Sequence, residues 1–130
     1  MKKHTVHLLL FLAAFLLFAL YGLRGMPEPE LLMRIDSATY LAPARSLLNS
    51  FSYADASGVP TALRVPLYPA FLALSLAVSG NSLLFCILMN CALSAIAVPV
   101  LHQAALEFTE NKRIALTASL LLMFSPTEIA

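Results

Sequence analysis

Asp36 is the residue of this chain best suited to acid–base chemistry. It lies in the run Arg34-Ile-Asp36-Ser-Ala-Thr-Tyr40, between two stretches that are apolar enough to cross a bilayer. Charged groups at a membrane are energetically costly, and proteins keep them for a function. One interpretation of Asp36 is a helix N-cap, a position that favours aspartate. The other is a general base that takes a proton from an acceptor hydroxyl, and the two roles are compatible.

A second polar run, Arg64-Val-Pro66-Leu-Tyr68-Pro69, follows later in the same region. The guanidinium group of Arg64 is suited to binding a phosphate group through two parallel hydrogen bonds. Arg34 and Arg45 compete with it for this role, and the sequence does not rank the three. The structural alternative is that the prolines only shape a loop, with an amphipathic tyrosine at the membrane interface.

The composition indicates a membrane protein of one domain. Hydrophobic residues make up 60% of the 130 residues and charged residues 12%, about half the charged share of a typical globular protein. The mean hydropathy is +0.84. A net charge of +1 argues against a nucleic-acid partner, which would need a basic patch.

The apolar runs predict an all-α membrane protein with about three transmembrane helices. The predicted spans cover residues 6–23, 83–106 and 114–130; residues 1–5 form a cytoplasmic start, and residues 107–113 form a short cytoplasmic connection. Pro99 is expected to kink the second span. A cleaved signal peptide is the alternative for the first run, but its cleavage pattern is poor, so we favour an uncleaved anchor.

Residues 24–82 are predicted to form an extracytoplasmic loop with short juxtamembrane helices. Lysine and arginine near residues 2–3 and 112–113 assign the cytoplasmic side. Apolar residues at 44, 47, 48 and 51 share one helical face, onto which Tyr40 and Asp36 extend. Pro43 implies either a helix that starts near it or a distorted turn before it.

The short run Leu67–Val78 within this loop predicts a second helix. About 12 residues are too few to span a bilayer, so we expect an interfacial or re-entrant helix. Pro66 or Pro69 suits its first turn. Gly80-Asn81 suits its end.

The motifs of this loop resemble the first extracytoplasmic loop of the type-C membrane glycosyltransferases. The closest branch contains the protein O-mannosyltransferases and the lipid A aminoarabinose transferases, and the likeness covers nearly the whole chain. Ser37 departs from the family, whose members often carry a second acidic residue there. The resemblance depends on three patterns, Asp36-x-x-x-Tyr40, Ala44-Arg45-x-Leu47-Leu48 and Arg64-x-Pro66-x-Tyr68-Pro69.

The resemblance implies a multi-pass protein of the plasma (inner) membrane that transfers a sugar from a polyprenyl-phosphate donor to an extracytoplasmic acceptor. Its partners would be the lipid-linked donor, the acceptor and membrane lipids. Asp36 would be the catalytic base, and the substrate-binding residues would be Tyr40, Arg45, Arg64 and Tyr68. Family members are much longer, so we expect this chain to be their N-terminal portion and inactive alone.

Two other classes of protein remain open from the residues themselves, a small non-catalytic membrane subunit and a transporter fragment. A transporter tends to place polar residues or broken helices at mid-membrane, for which Asn90 and Pro99 are the only hints. No cofactor is implied. The three histidines, His4, His7 and His102, do not cluster in a way that suggests metal ligation, and Cys86 and Cys91 are expected to serve packing.

Overall fold

The computed structural model describes residues 3–24 and 35–125, with side chains over 4–24 and 38–125. These residues form five helices and no β-strand, with one isolated antiparallel bridge between Ala54 and Pro60. The predicted all-α class is confirmed for this part of the chain. The helices are α1 (Lys3–Arg24), α2 (Ile35–Ser50), α3 (Leu67–Ser79), α4 (Leu83–Thr109) and α5 (Lys112–Met123).

Two of these helices, α1 and α4, are long and apolar enough to cross a membrane. At 1.5 Å per residue they measure about 33 Å and about 40 Å, against a hydrocarbon core of about 30 Å. Only 17% of the most apolar 18-residue stretch of α1 is buried, and only 22% of that of α4. The core helix of a soluble protein is mostly buried, so this exposure favours an apolar surrounding outside the chain.

The end of the described chain differs from the prediction. Because α4 continues to Thr109, its connection to α5 consists of Glu110 and Asn111 and not of residues 107–113. The Asn111 side chain caps α5 by accepting from the backbone N–H of Arg113 at 3.0 Å. With 12 residues, α5 is about 18 Å long, which is shorter than the thickness of the hydrocarbon core of a bilayer. The third span therefore stays a prediction, and residues 126–130 lie outside the described residues.

The chain divides into two compact units. One comprises Met1–Arg24 and Leu88–Ala130, and the other comprises Gly25–Ile87. Within the second unit α2 packs against α3. The buried apolar cluster of this unit consists of Leu41, Ala44, Leu72, Leu76 and Cys86.

Helix α2 runs from Ile35 to Ser50 and contains Pro43. The alternative in which the helix starts near Pro43 is therefore wrong. Phe51 was expected to share the apolar face of this helix, and this is also wrong. It follows the helix with a φ of 53° and is 94% exposed, so the helix ends in a left-handed residue that turns away from the cluster.

Helix α3 has the ends predicted from its sequence. Pro66 is its N-cap residue, and Gly80 ends it in the left-handed conformation with a φ of 65°. The N–H of Gly80 donates to the carbonyl of Leu76, a helix-ending pattern that glycine favours because it lacks a Cβ. The Ser82 side chain then accepts from the N–H of Phe85 at 3.4 Å and caps the start of α4.

Candidate functional site

Arg64 is attached to α2 by two contacts. Its Nε donates to Oγ1 of Thr39 at 3.1 Å across 25 positions of sequence. Its guanidinium carbon lies 4.6 Å from the centroid of the Tyr40 ring, within the distance of a cation–π contact. These contacts bring the Asp36–Tyr40 motif and the Arg64–Pro69 motif together.

Tyr68 completes this group from the first turn of α3. Its ring meets that of Tyr40 edge to face, with centroids 5.0 Å apart and an interplanar angle of 85°. The Tyr68 ring also stacks on the ring of Phe71, with centroids 6.2 Å apart and an interplanar angle of 22°. Edge-to-face and offset geometries are the favoured ones for aromatic pairs. Three of the predicted site residues, Tyr40, Arg64 and Tyr68, therefore form one aromatic–arginine cluster.

Tyr53 supports the aromatic–arginine cluster, and the sequence did not single it out as a site residue. Its hydroxyl donates to the backbone carbonyl of Arg64 at 2.7 Å. The loop between them is folded on itself, because Oδ1 of Asp55 accepts from the N–H groups of Ser57 and Val59. The only available signal was a tyrosine in the same loop, which does not reveal its partner.

Asp36 lies in the first turn of α2, one turn before Tyr40. Residues four apart on a helix share a face, so these two positions are neighbours by register. Since α2 begins at Ile35, Asp36 lies within the helix and not at its N-cap, where the structural interpretation placed it. Its side chain lies outside the described part of the structure, and its role as catalytic base stays a prediction.

Arg45 is the predicted substrate-binding residue that the aromatic–arginine cluster does not include. It is exposed on α2, five positions after Tyr40, which is about 140° around the helix. Arg34 lies outside the described residues. Their roles stay predictions, while the contacts single out Arg64 as the arginine that lies beside Tyr40 and Tyr68.

Two histidines come together in the other unit, although the sequence suggested no clustering. The rings of His7 and His102 meet edge to face, with centroids 5.5 Å apart. Nε2 of His7 and Nδ1 of His102 are buried and have no hydrogen-bond partner among the described residues. No group of three or more metal-ligating side chains occurs in the described ranges. The two histidines are far apart in sequence, so no local pattern could have revealed their contact.

Two cysteines and one glutamine of α4 have roles within the fold. Cys86 and Cys91 are free and buried, in agreement with packing. Gln103 donates from its Nε2 to Oε1 of Glu107, one turn later on the same helix.

The aromatic–arginine cluster combines one permanent cation with two phenol rings. A stacked guanidinium is suited to an oxyanion, and phenol faces are suited to flat apolar surfaces such as the C–H face of a sugar ring. No protein-family model, no curated protein and no solved structure matches this chain.

Proposed function

We propose that this chain belongs to an integral-membrane glycosyltransferase that moves a sugar from a polyprenyl-phosphate donor to an extracytoplasmic acceptor. The observation that carries the proposal is the contact between Arg64 and Tyr40. It joins two motifs, Asp36–Tyr40 and Arg64–Pro69, whose order and spacing resemble the first outer loop of such enzymes.

In this proposal Arg64 binds the phosphate of the donor. Guanidinium groups bind phosphate oxygens through two parallel hydrogen bonds. Contacts with Thr39 and Tyr40 hold the Arg64 side chain in one orientation, so less side-chain entropy is lost when an oxyanion binds. Tyr40 and Tyr68 supply ring faces against which the donor packs.

Asp36 acts in this proposal as the general base. As the acceptor hydroxyl oxygen attacks the anomeric carbon of the sugar, Asp36 takes the hydroxyl proton. The bond from that carbon to the phosphate oxygen breaks, and polyprenyl phosphate leaves with the electron pair. The register of Asp36, one turn before Tyr40 on α2, supports this role, because residues four apart on a helix share a face.

The proposal places α1 and α4 across the bilayer. The contact of His7 with His102 brings the start of α1 next to the end of α4. This supports a topology in which these two helix ends lie on the same side of the bilayer. Residues 25–82 would then lie on the other side, in agreement with the lysine and arginine pattern. Helix α3 contains no charged residue and exposes Leu67, Leu74 and Val78, which supports an interfacial position.

Binding of the lipid carrier tests the proposal. The purified chain in lipid nanodiscs is titrated with polyprenyl phosphate, and Arg64→Gln is expected to weaken binding at least about tenfold, the effect of losing a charge-assisted contact. Arg24→Gln is the matched control. Arg24 lies on α1, and its guanidinium carbon also lies over a tyrosine ring, 5.1 Å from the centroid of Tyr21. Equal binding by the two variants would refute a phosphate site at Arg64.

A further inference from the structure

A pocket of about 400 Å³ lies where α1 meets α4. This volume is within the range of about 300–1,000 Å³ that small-molecule sites occupy. The proposed sugar transfer makes no use of this pocket, so its function is a separate question. It is lined by His7, Pro99, Val100, Gln103, Ala104 and Glu107.

The polar side chains of this pocket offer mainly hydrogen-bond acceptors. Gln103 uses its Nε2 to donate to Glu107, while its Oε1 is buried and has no partner among the described residues. The carboxylate of Glu107 only accepts, and it has room for several bonds. Nε2 of His7 is also buried without a described partner, and a neutral imidazole nitrogen accepts when the other ring nitrogen carries the proton.

The rest of the pocket wall is apolar. Pro99, Val100 and Ala104 supply its hydrocarbon surface. His102, which is 7% exposed, packs against the His7 ring edge to face and holds that ring beside the pocket. A ligand of this site therefore needs hydrogen-bond donors at one end and a hydrocarbon part at the other.

We propose that this pocket binds a primary alkylammonium group. An ammonium carries three N–H donors, and three residues that line the pocket, Glu107, Gln103 and His7, contain an acceptor atom. A buried acceptor left unpaired costs free energy, so a cation without N–H groups binds less well. The ammonium comes either from a phospholipid headgroup of the ethanolamine type or from a free amine, and a pocket between two membrane-spanning helices is accessible to both.

The test compares cations of equal charge in which methyl groups replace the three N–H donors. The full chain is purified in detergent and mixed with ethanolamine or choline phospholipids of identical acyl chains, and retained lipid is counted by native mass spectrometry. We expect the ethanolamine lipid to be retained at least about tenfold better, the factor that 1.4 kcal/mol represents. Retention of both lipids to the same extent excludes a headgroup as the source.

A second arm of the test addresses a free amine. With choline lipids alone, calorimetry measures binding of octylamine against octyltrimethylammonium, which has the same charge and no N–H group. Preference for octylamine here, together with equal retention of the two lipids, identifies a free amine as the ligand. No preference in either arm overturns the proposal.

Variants locate the binding to this pocket. Glu107→Gln removes the charge and Gln103→Leu removes the buried acceptor, and each is expected to abolish most of the preference for N–H donors. Glu110→Gln is the matched control, since Glu110 is exposed like Glu107 and lies three residues further along, outside the pocket lining. Helix content by circular dichroism is compared for all variants. If Glu107→Gln and Gln103→Leu fold normally and keep the preference, the pocket is not the site.

Discussion

The hydroxyl of Tyr53 donates to the backbone carbonyl of Arg64 at 2.7 Å. The loop thus fixes the backbone of the same residue whose side chain lies over Tyr40 on α2. Arg64 is held from two directions, by a hydrogen bond to its main chain and by contacts to its guanidinium group. A cation held in this way keeps its position whether or not a ligand is bound.

Tyr53→Phe should therefore destabilise the protein without changing its fold. The substitution removes one hydrogen bond and leaves the carbonyl of Arg64 without this donor, a loss of about 0.5–1.5 kcal/mol. Thermal unfolding of the detergent-solubilised protein should show a lower midpoint for Tyr53→Phe than for Tyr21→Phe, the same change in the exposed Tyr21 of α1. Equal midpoints would mean that the Tyr53 bond does not contribute to stability.

Leu76→Ala should be strongly destabilising. Leu76 is 1% exposed in the cluster between α2 and α3, and removing a buried leucine side chain costs about 2–5 kcal/mol. Leu74→Ala, on the same helix at a 65% exposed position, should change the free energy of unfolding by less than about 0.5 kcal/mol. Chemical denaturation of both variants measures the difference, and similar losses would contradict the packing of α3 on α2.

The proposed topology predicts opposite labelling of two engineered cysteines. With Cys86 and Cys91 replaced by alanine, a cysteine at Ser57 should react with a membrane-impermeant thiol reagent in intact cells. A cysteine at Thr109 should react only after lysis. Both positions are exposed in the structure, so access to the reagent and not burial decides the result. Labelling of Thr109 in intact cells would contradict the topology.

The depth of α3 can be measured because the chain contains no tryptophan. Leu74→Trp introduces one fluorophore on the exposed face of α3, and an interfacial helix predicts stronger quenching by lipids brominated near the headgroup than by lipids brominated near the chain ends. Leu93→Trp, at a 54% exposed position of α4, should show the reverse order. Deep quenching at Leu74 would indicate that α3 enters the bilayer.

Asp36→Asn should abolish most sugar transfer in a preparation that performs it. Losing a general base lowers the rate by about 10²–10⁴-fold. A purely structural Asp36 predicts a different result, because asparagine keeps the size and shape of aspartate and removes only its charge. Turnover and expression level are measured for Asp36→Asn and Asp36→Ala. Near-normal turnover of the Asn variant at normal abundance would remove Asp36 from the mechanism.

The ends of α3 were predictable because the signals for them are local. Proline before the first turn and glycine after the last act on the backbone at their own positions, so Pro66 and Gly80 needed no knowledge of tertiary contacts. The start of α2 was not predictable in this way. A proline inside a helix costs about 3 kcal/mol, and the helix forms through Pro43 because Leu41 and Ala44 pack against α3.

The candidate site was predictable as a set of residue types and not as an arrangement. The motifs named Tyr40, Arg64 and Tyr68, but the spacing of each motif contains no information about contacts between them. The stacking of Arg64 on Tyr40 requires the loop to fold back onto α2. For the same reason the contact of His7 with His102 appeared only in three dimensions, since each histidine alone lies in an apolar run.

Because α2 contains a proline, the contacts of Arg64 with this helix also stabilise the helix itself. Proline at position 43 cannot donate to the carbonyl of Thr39, so α2 lacks one of the backbone hydrogen bonds that join its first turns. Arg64 bonds to the Thr39 side chain and stacks on Tyr40, and so braces the helix beside this weak point. Asp36 lies on the N-terminal side of this missing hydrogen bond, so the contacts of Arg64 with Thr39 and Tyr40 limit how far the first turn of α2 can bend away from the rest of the helix.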